Sequence, residues 1–199
     1  MDSPGENTKL NCKVVLLGNS GVGKTSLAVR WSTGVFSNLI NPTIGANHQR
    51  KTIKIEKSEM DLYLWDTSGQ EQFQSLTPLY VRSASAAFVT ASITDLESFE
   101  SLKIWMDLLN NSCEKVPPAI LAVNKIDLED SAVMTREEIE ERFSDQFNSI
   151  FYVSAFSGEN VENAFIQVAK LAYDFTKTVE KTSTQDITQP INTKKSCCN

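Results

Sequence analysis

The sequence predicts an α/β fold: a mostly parallel six-stranded sheet with helices on both faces. Three observations predict it. Short apolar runs alternate with stretches of helical periodicity, the pattern of parallel strands joined by crossover helices. The first run, residues 14–17, ends in the glycine-rich turn GNSGVGKT (18–25) and passes into a helix-like stretch. Four turns of unusual composition (18–25, 66–71, 124–127 and 154–156) each follow a predicted strand. They are therefore expected along one edge of the sheet, where open α/β sheets bind ligands.

Taken in order, Gly18, Gly23, Lys24 and Thr25 fill the fixed places of G-x-x-x-x-G-K-[ST], the phosphate-binding loop. Glycines let backbone N–H groups turn inward around an anion. The helix that follows adds its unpaired N-terminal N–H groups and positive dipole end. Lys24 supplies a mobile charge, and the Thr25 hydroxyl can ligate Mg²⁺. Leu27, Ala28 and Trp31 continue the helix. Residues 32–45, punctuated by Gly34, Pro42 and Gly45, read as a long loop of the functional or mobile kind. Residues 52–55 and 62–65 alternate around a polar turn at 57–59, an antiparallel hairpin.

After WDTSGQE (65–71), residues 86–91 suit a buried strand. Thr94-x-x-Glu97 resembles a capping box opening a helix with Phe99, Leu102, Trp105, Met106 and Leu109 at helical spacing. Pro117 and Pro118 precede a strand at 119–123. Thr135-x-x-Glu138 is a second capping box, opening a charged helix to about Phe147. A strand at 150–153 leads to Ser154-Ala155-Phe156. The last helix carries Val161, Ala164, Phe165, Val168, Leu171, Ala172 and Phe175 on a core stripe. Residues 1–9 read as a disordered N-terminus, 10–175 as one domain, and 176–199 as a flexible polar tail.

The turns define the chemistry. Asp66 can hold Mg²⁺ directly or through its water, the Gly69 N–H can reach a terminal phosphate, and the Gln70 amide can orient an attacking water. A carboxylate at Asp127 can accept two hydrogen bonds from the ring N–H and exocyclic amine of guanine. Adenine offers no such pair, so the turn Asn124-Lys125-Ile126-Asp127 selects GTP/GDP. Asn124 braces this loop and touches the base, and the Lys125 stem lies along the ring face. Ser154-Ala155-Phe156 adds a backbone N–H for the guanine carbonyl. Thr43 lies in the long loop. If its hydroxyl reaches Mg²⁺ only when a terminal phosphate is present, the loop becomes a switch.

Composition narrows the partners. Net charge is −6, the pI is about 4.9, and no basic stripe is visible, which argues against nucleic acid. There is no run of about 18 apolar residues for a membrane span. Residues 1–9 show neither a signal-peptide nor a myristoylation pattern. Cys12, Cys113, Cys197 and Cys198 show no metal spacing, and with no secretory signal they suit a reducing, cytoplasmic compartment. Cys12 and Cys113 read as structural or incidental thiols.

The order and spacing of GNSGVGKT, PTIG, WDTSGQE, NKID and SAF resemble a Ras-superfamily small GTPase over about residues 10–175, and imply its phosphate-loop GTPase fold. PTIGA, GQEQFQSLTPLYVRSASAA and the C-terminal cysteine pair are most similar to the Rab branch, and more weakly to early-endosomal Rabs. The resemblance implies that Asn19, Ser20, Gly21, Val22, Gly23, Lys24, Thr25 and Ser26 cradle the phosphates. It implies that Thr25, Thr43 and Asp66 attend Mg²⁺, that Gln70 positions water, and that Phe36 packs on the guanine edge. Trp65 and Tyr80 would belong to the aromatic surface that effectors read.

It further implies geranylgeranyl groups on Cys197 and Cys198 in KKSCCN, where two lipids make the anchor stable. Lys194 and Lys195 add roughly 1 kcal/mol each near an anionic surface. Implied partners are GTP-state effectors, a nucleotide exchanger, a GTPase-activating protein, and prenylation and membrane-extraction chaperones. The expected protein is monomeric and sits in the cytoplasm and on the cytosolic face of an intracellular membrane, with endosomes one candidate. Five positions depart from the Rab pattern: His48 for Phe, Ser68 for Ala, Ala91-Ser92 for Tyr-Asp, and Ser83 for Gly. The alternatives are a nucleotide-binding scaffold without turnover and an ATP-using enzyme of another phosphate-loop family. The NKID turn argues against the second.

Overall fold

The computed structural model describes residues 9–55, 58–70 and 75–186. Its six strands are β1 (Leu10–Leu17), β2 (Ala46–Ile55), β3 (Ser58–Thr67), β4 (Ala86–Ser92), β5 (Ala119–Asn124) and β6 (Ser149–Tyr152). They pair in the order β2-β3-β1-β4-β5-β6. The β2–β3 pair is antiparallel and every other pair is parallel. The helices are α1 (Lys24–Thr33), α2 (Thr77–Val81), α3 (Leu96–Glu100), α4 (Leu102–Ser112), α5 (Arg136–Phe143) and α6 (Val161–Asp186), with a 3-10 helix at Ile126–Ser131.

A strand covered on both faces needs apolar residues at every position, and β1 shows how they divide. Cys12, Val14 and Leu16 join Leu27, Ala28, Trp31, Phe165 and Val168 in one core layer, under α1 and α6. Val15 and Leu17 join Phe99, Leu102, Trp105, Leu109 and Ile139 in the other, under α3, α4 and α5. In the first layer Phe165 stacks on both Trp31 and Phe88, with ring centroids 4.6 Å apart in each pair. With β1 clamped in the middle of the sheet, the turn after Leu17 has a rigid base.

Several elements differ from the sequence expectation. Both hairpin strands are longer than 52–55 and 62–65. The inward positions of β2 include Lys51, whose Nζ lies 4.1 Å from the Trp31 ring. An amphipathic side chain at a core-facing position hid the alternation. The helix expected from Thr94 is two helices. Asp95 caps α3 by accepting from the Ser98 N–H, while the Thr94 hydroxyl pairs with Ser92. The Thr135–Glu138 box forms as read, with both reciprocal hydrogen bonds, but α5 stops at Phe143.

The tail also begins later than residue 176. Helix α6 runs to Asp186. The Thr176 and Thr178 hydroxyls bond back to the carbonyls of Ala172 and Asp174. Thr176 Oγ1 also lies 2.9 Å from the Ser85 hydroxyl and accepts from the Cys12 thiol, tying the extension to the sheet. Adding residues to an existing helix is far easier than nucleating one, so Thr-rich sequence can continue it. Residues 1–8 and 187–199, including the lysine pair and Cys197 and Cys198, lie outside the described residues, as does Glu71 of the WDTSGQE turn.

Candidate functional site

The turns after β1, β3, β5 and β6 meet at one edge of the sheet and are stitched together by side chains. Asn124, at the end of β5, donates from Nδ2 to the Val22 carbonyl at 2.8 Å. Its Oδ1 accepts the Ala155 N–H at 3.1 Å. A single carboxamide thus joins the glycine-rich loop to the 154–156 turn. Gly23 sits at φ 99°, and a Cβ there would overlap Asn124 Nδ2, so this brace requires glycine. Ser154 Oγ donates to Asp127 Oδ1 and accepts the Ser157 N–H. Asp127 is exposed, and this hydrogen bond holds its carboxylate beside the 154–157 turn.

Lys125 precedes it at φ 67°, a left-handed backbone that turns the chain into the 3-10 helix. Phe36 packs edge-on against Phe156, with ring centroids 5.4 Å apart, which joins the long loop to the 154–156 turn. Within the 154–156 turn, from which a backbone N–H for a guanine carbonyl is expected, the Ala155 N–H is engaged by Asn124.

At the other end, Lys24 is buried and its ammonium donates to the carbonyls of Gly18 (2.7 Å) and Asn19 (2.8 Å). Burial lowers its pKa to about 8, against the restoring charge of Asp66. Thr25 Oγ1 donates to Asp66 Oδ2 at 2.7 Å and lies 2.8 Å from Thr43 Oγ1, which is 3.3 Å from the same carboxylate oxygen. Burial pushes the Asp66 carboxyl above its ordinary pKa despite these bonds and the Lys24 charge. Asp66 Oδ1 is buried with no hydrogen-bond partner.

A cleft of about 240 Å³ opens here, lined by Ser20, Gly21, Gly23, Lys24, Thr25 and Ser26, and across from them by Thr43, Gly69 and Gln70. Three hard oxygen donors in mutual contact, one of them a carboxylate with an orphaned oxygen, fit Mg²⁺. The buried ammonium and the helix N-terminus fit a phosphate chain beside it. Ile40, Asn41 and Pro42 line the cleft too. Sequence reading passed over them, and their adjacency to Thr43 was the available signal.

The long loop and the turn after β3 are linked to each other. The Ser68 N–H donates to the Gly45 carbonyl at 2.8 Å, joining the turn after β3 to the loop that carries Thr43. The Ser68 hydroxyl, where the Rab pattern has Ala, accepts the Gln70 N–H at 3.2 Å. Gly69 passes so close to the backbone of Asn19 and Ser20 that a Cβ would overlap both. Ser83 adopts φ 60°, the conformation expected of the glycine it replaces. Outside the cleft, His48 stacks on Trp65 (5.6 Å) and Trp65 on Tyr80 (6.0 Å), with Lys13 Nζ 4.7 Å from the Trp65 ring.

Residues 13–174 match the family model described as the Ras family. The chain is 37% identical over 166 residues to Ras-related protein Rab5 of Nicotiana tabacum, covering 82% of each chain. It is 38% identical over 157 residues to Ras-related protein Rab-30 of Homo sapiens, covering 79% of this chain and 77% of that one. Ras-related protein RabJ of Dictyostelium discoideum is 36% identical over 162 residues, and the match spans 81% of this chain but 63% of that protein.

Proposed function

We propose that this chain, which belongs to the Ras family and is a Rab-like small GTPase, works as a GTP/GDP switch on the cytosolic face of an intracellular membrane in vesicle traffic. The observation that carries the reading is the Thr25–Thr43–Asp66 cluster. It gathers a residue of the glycine-rich loop, one of the long loop and one of the turn after β3 around a single unpartnered carboxylate oxygen. Bound there, Mg²⁺ would neutralise charge on the β- and γ-phosphates. Lys24 holds the phosphate chain from the opposite side, Asp127 selects guanine, and Asn124 keeps the two halves in register.

Gln70 lines the cleft beside Gly69, where its amide can orient a water toward a terminal phosphate. The Ser68–Gly45 hydrogen bond makes the two loops respond together, so a lost phosphate loosens both. Effectors, an exchanger and an activating protein act on these loops. Prenyl groups on Cys197 and Cys198, added with the help of chaperones that also extract the protein from membranes, supply the anchor. The working unit is a monomer.

Single-turnover hydrolysis of bound GTP tests the reading. The expected intrinsic rate is on the order of 10⁻⁴ to 10⁻³ s⁻¹, and Gln70→Leu should slow it about tenfold. Failure to retain guanine nucleotide would overturn the reading. Turnover unchanged by Gln70→Leu would remove the role given to that residue.

A further inference from the structure

Asn19 lies inside the phosphate loop, yet its side chain faces away from the cleft toward the corner where α3 meets α4. Its backbone carbonyl accepts one of the two hydrogen bonds that hold the Lys24 ammonium. Its carboxamide is used at both ends: Nδ2 donates to Ser101 Oγ at 3.0 Å, and Oδ1 accepts from Trp105 Nε1 at 2.9 Å. An indole N–H can only donate, so the orientation of the amide is unambiguous. Ser101 and Trp105 are one helical turn apart and face the same way. The peptide N–H groups of Ile104 and Trp105 both point to the Ser101 carbonyl, which sits at the junction of the two helices.

Trp105 is 3% exposed and embedded in the α3–α4–α5 core layer, so its N–H is a fixed donor. The remainder of the loop's front has no such tie. Ser20 is exposed, and Gly21 has open space where a side chain would be. Asn124 holds the far end, at Val22.

We infer that Asn19 is a positioning residue for phosphate binding: it pins the front of the loop to the α3–α4 corner and thereby sets where Lys24 rests. The inference rests on the nucleotide reading above. It adds that the grip on the phosphates is adjustable from outside the pocket, because Ser101 and Trp105 touch neither cleft nor base. When the clamp is removed, the 18–19 and 19–20 peptides can rotate, their carbonyls leave Lys24, and the phosphates lose a prearranged partner. The base contacts do not depend on it.

Release of fluorescent GDP from the full chain tests this, using Asn19→Ala, Asn19→Asp, Trp105→Phe and the double variant Asn19→Ala/Trp105→Phe. Asn19→Ala and Trp105→Phe should each speed release about tenfold, the scale expected from lost hydrogen bonds. The double variant should be no faster than either single one, because both remove the same link. Asn19→Asp should stay within about twofold of the wild type, since a carboxylate accepts from Trp105 and from the Ser101 hydroxyl alike.

Ser101→Ala, which removes one partly buried hydroxyl, gives a smaller acceleration and guards against misfolding of the Trp105 variant. Additive effects, or release from Asn19→Asp as fast as from Asn19→Ala, overturn the clamp. A wild-type chain that retains no GDP overturns the nucleotide reading, and the clamp with it.

Discussion

At the base end, Asn124 uses both ends of its carboxamide on protein, and the Ser154 hydroxyl steadies Asp127. At the phosphate end, a buried lysine is held by two carbonyls, and a buried aspartate has one oxygen with no partner. The first region is complete without a ligand. The second contains two charges that burial opposes, Lys24 shifted down and Asp66 shifted up. In the proposed function, a site divided this way would bind its base by fitting a fixed frame and its phosphates by relieving unmet electrostatics. The second half, which includes Thr43 and the 66–70 turn, would then be the one to respond to the loss of one phosphate.

The sharpest way to break this comparison is at Asp127. Asp127→Asn keeps an acceptor for Ser154 but turns one guanine-facing acceptor into a donor. GDP affinity should fall about a thousandfold, the loss expected for two charge-assisted hydrogen bonds. The thermal midpoint of the nucleotide-free protein should hardly move. If the midpoint drops as well, the base half is not a frame independent of its ligand. At the phosphate end, Thr25→Ala should cost about 10–100-fold in nucleotide affinity, and added chelator should then change release little. Thr43→Ala should be felt about tenfold and only with a GTP analogue. Equal losses for GDP would mean that the long loop does not sense the terminal phosphate.

Much of this division is visible in the amino-acid sequence. The glycine-rich loop and the NKID turn are contiguous, so their residues specify geometry locally. The Thr135 capping box is local in the same sense and forms as read. What sequence could not supply is contact between distant segments. The Asn19 side chain meets Trp105 86 positions away, and nothing in either neighbourhood marks the pairing. The Asn124 link to Val22 spans 102 positions and explains why Gly23 must lack a side chain. The end of α6 was missed for a different reason. Local propensity favoured a tail at residue 176, whereas the helix is carried forward by its own length and by the Thr176 ties to Ser85 and Cys12.

The smallest expected effect is on stability, and it comes from two carboxylates on one strand. Asp61 and Asp66 both lie on β3, five positions apart, and their surroundings shift them in opposite directions. The Thr52 hydroxyl, the Lys9 ammonium and the Arg50 guanidinium hold the Asp61 carboxyl well below the usual range. Its stabilisation is therefore present above the ordinary carboxylate pKa of about 4 and is lost as pH falls toward the depressed value. Asp66, with a raised pKa, behaves in reverse. It destabilises the empty protein at neutral pH, and acid relieves that penalty.

Asp61→Asn should lower the midpoint of the nucleotide-free protein by a few degrees at pH 7, with the gap narrowing below about pH 4. Asp66→Asn should raise the midpoint at pH 7, and that gap should close on acidification. Scanning calorimetry of both variants across that range reads the two signs directly. A lower midpoint for Asp66→Asn would mean that the two hydroxyl bonds already satisfy Asp66, and that the phosphate half is as complete without its ligand as the base half.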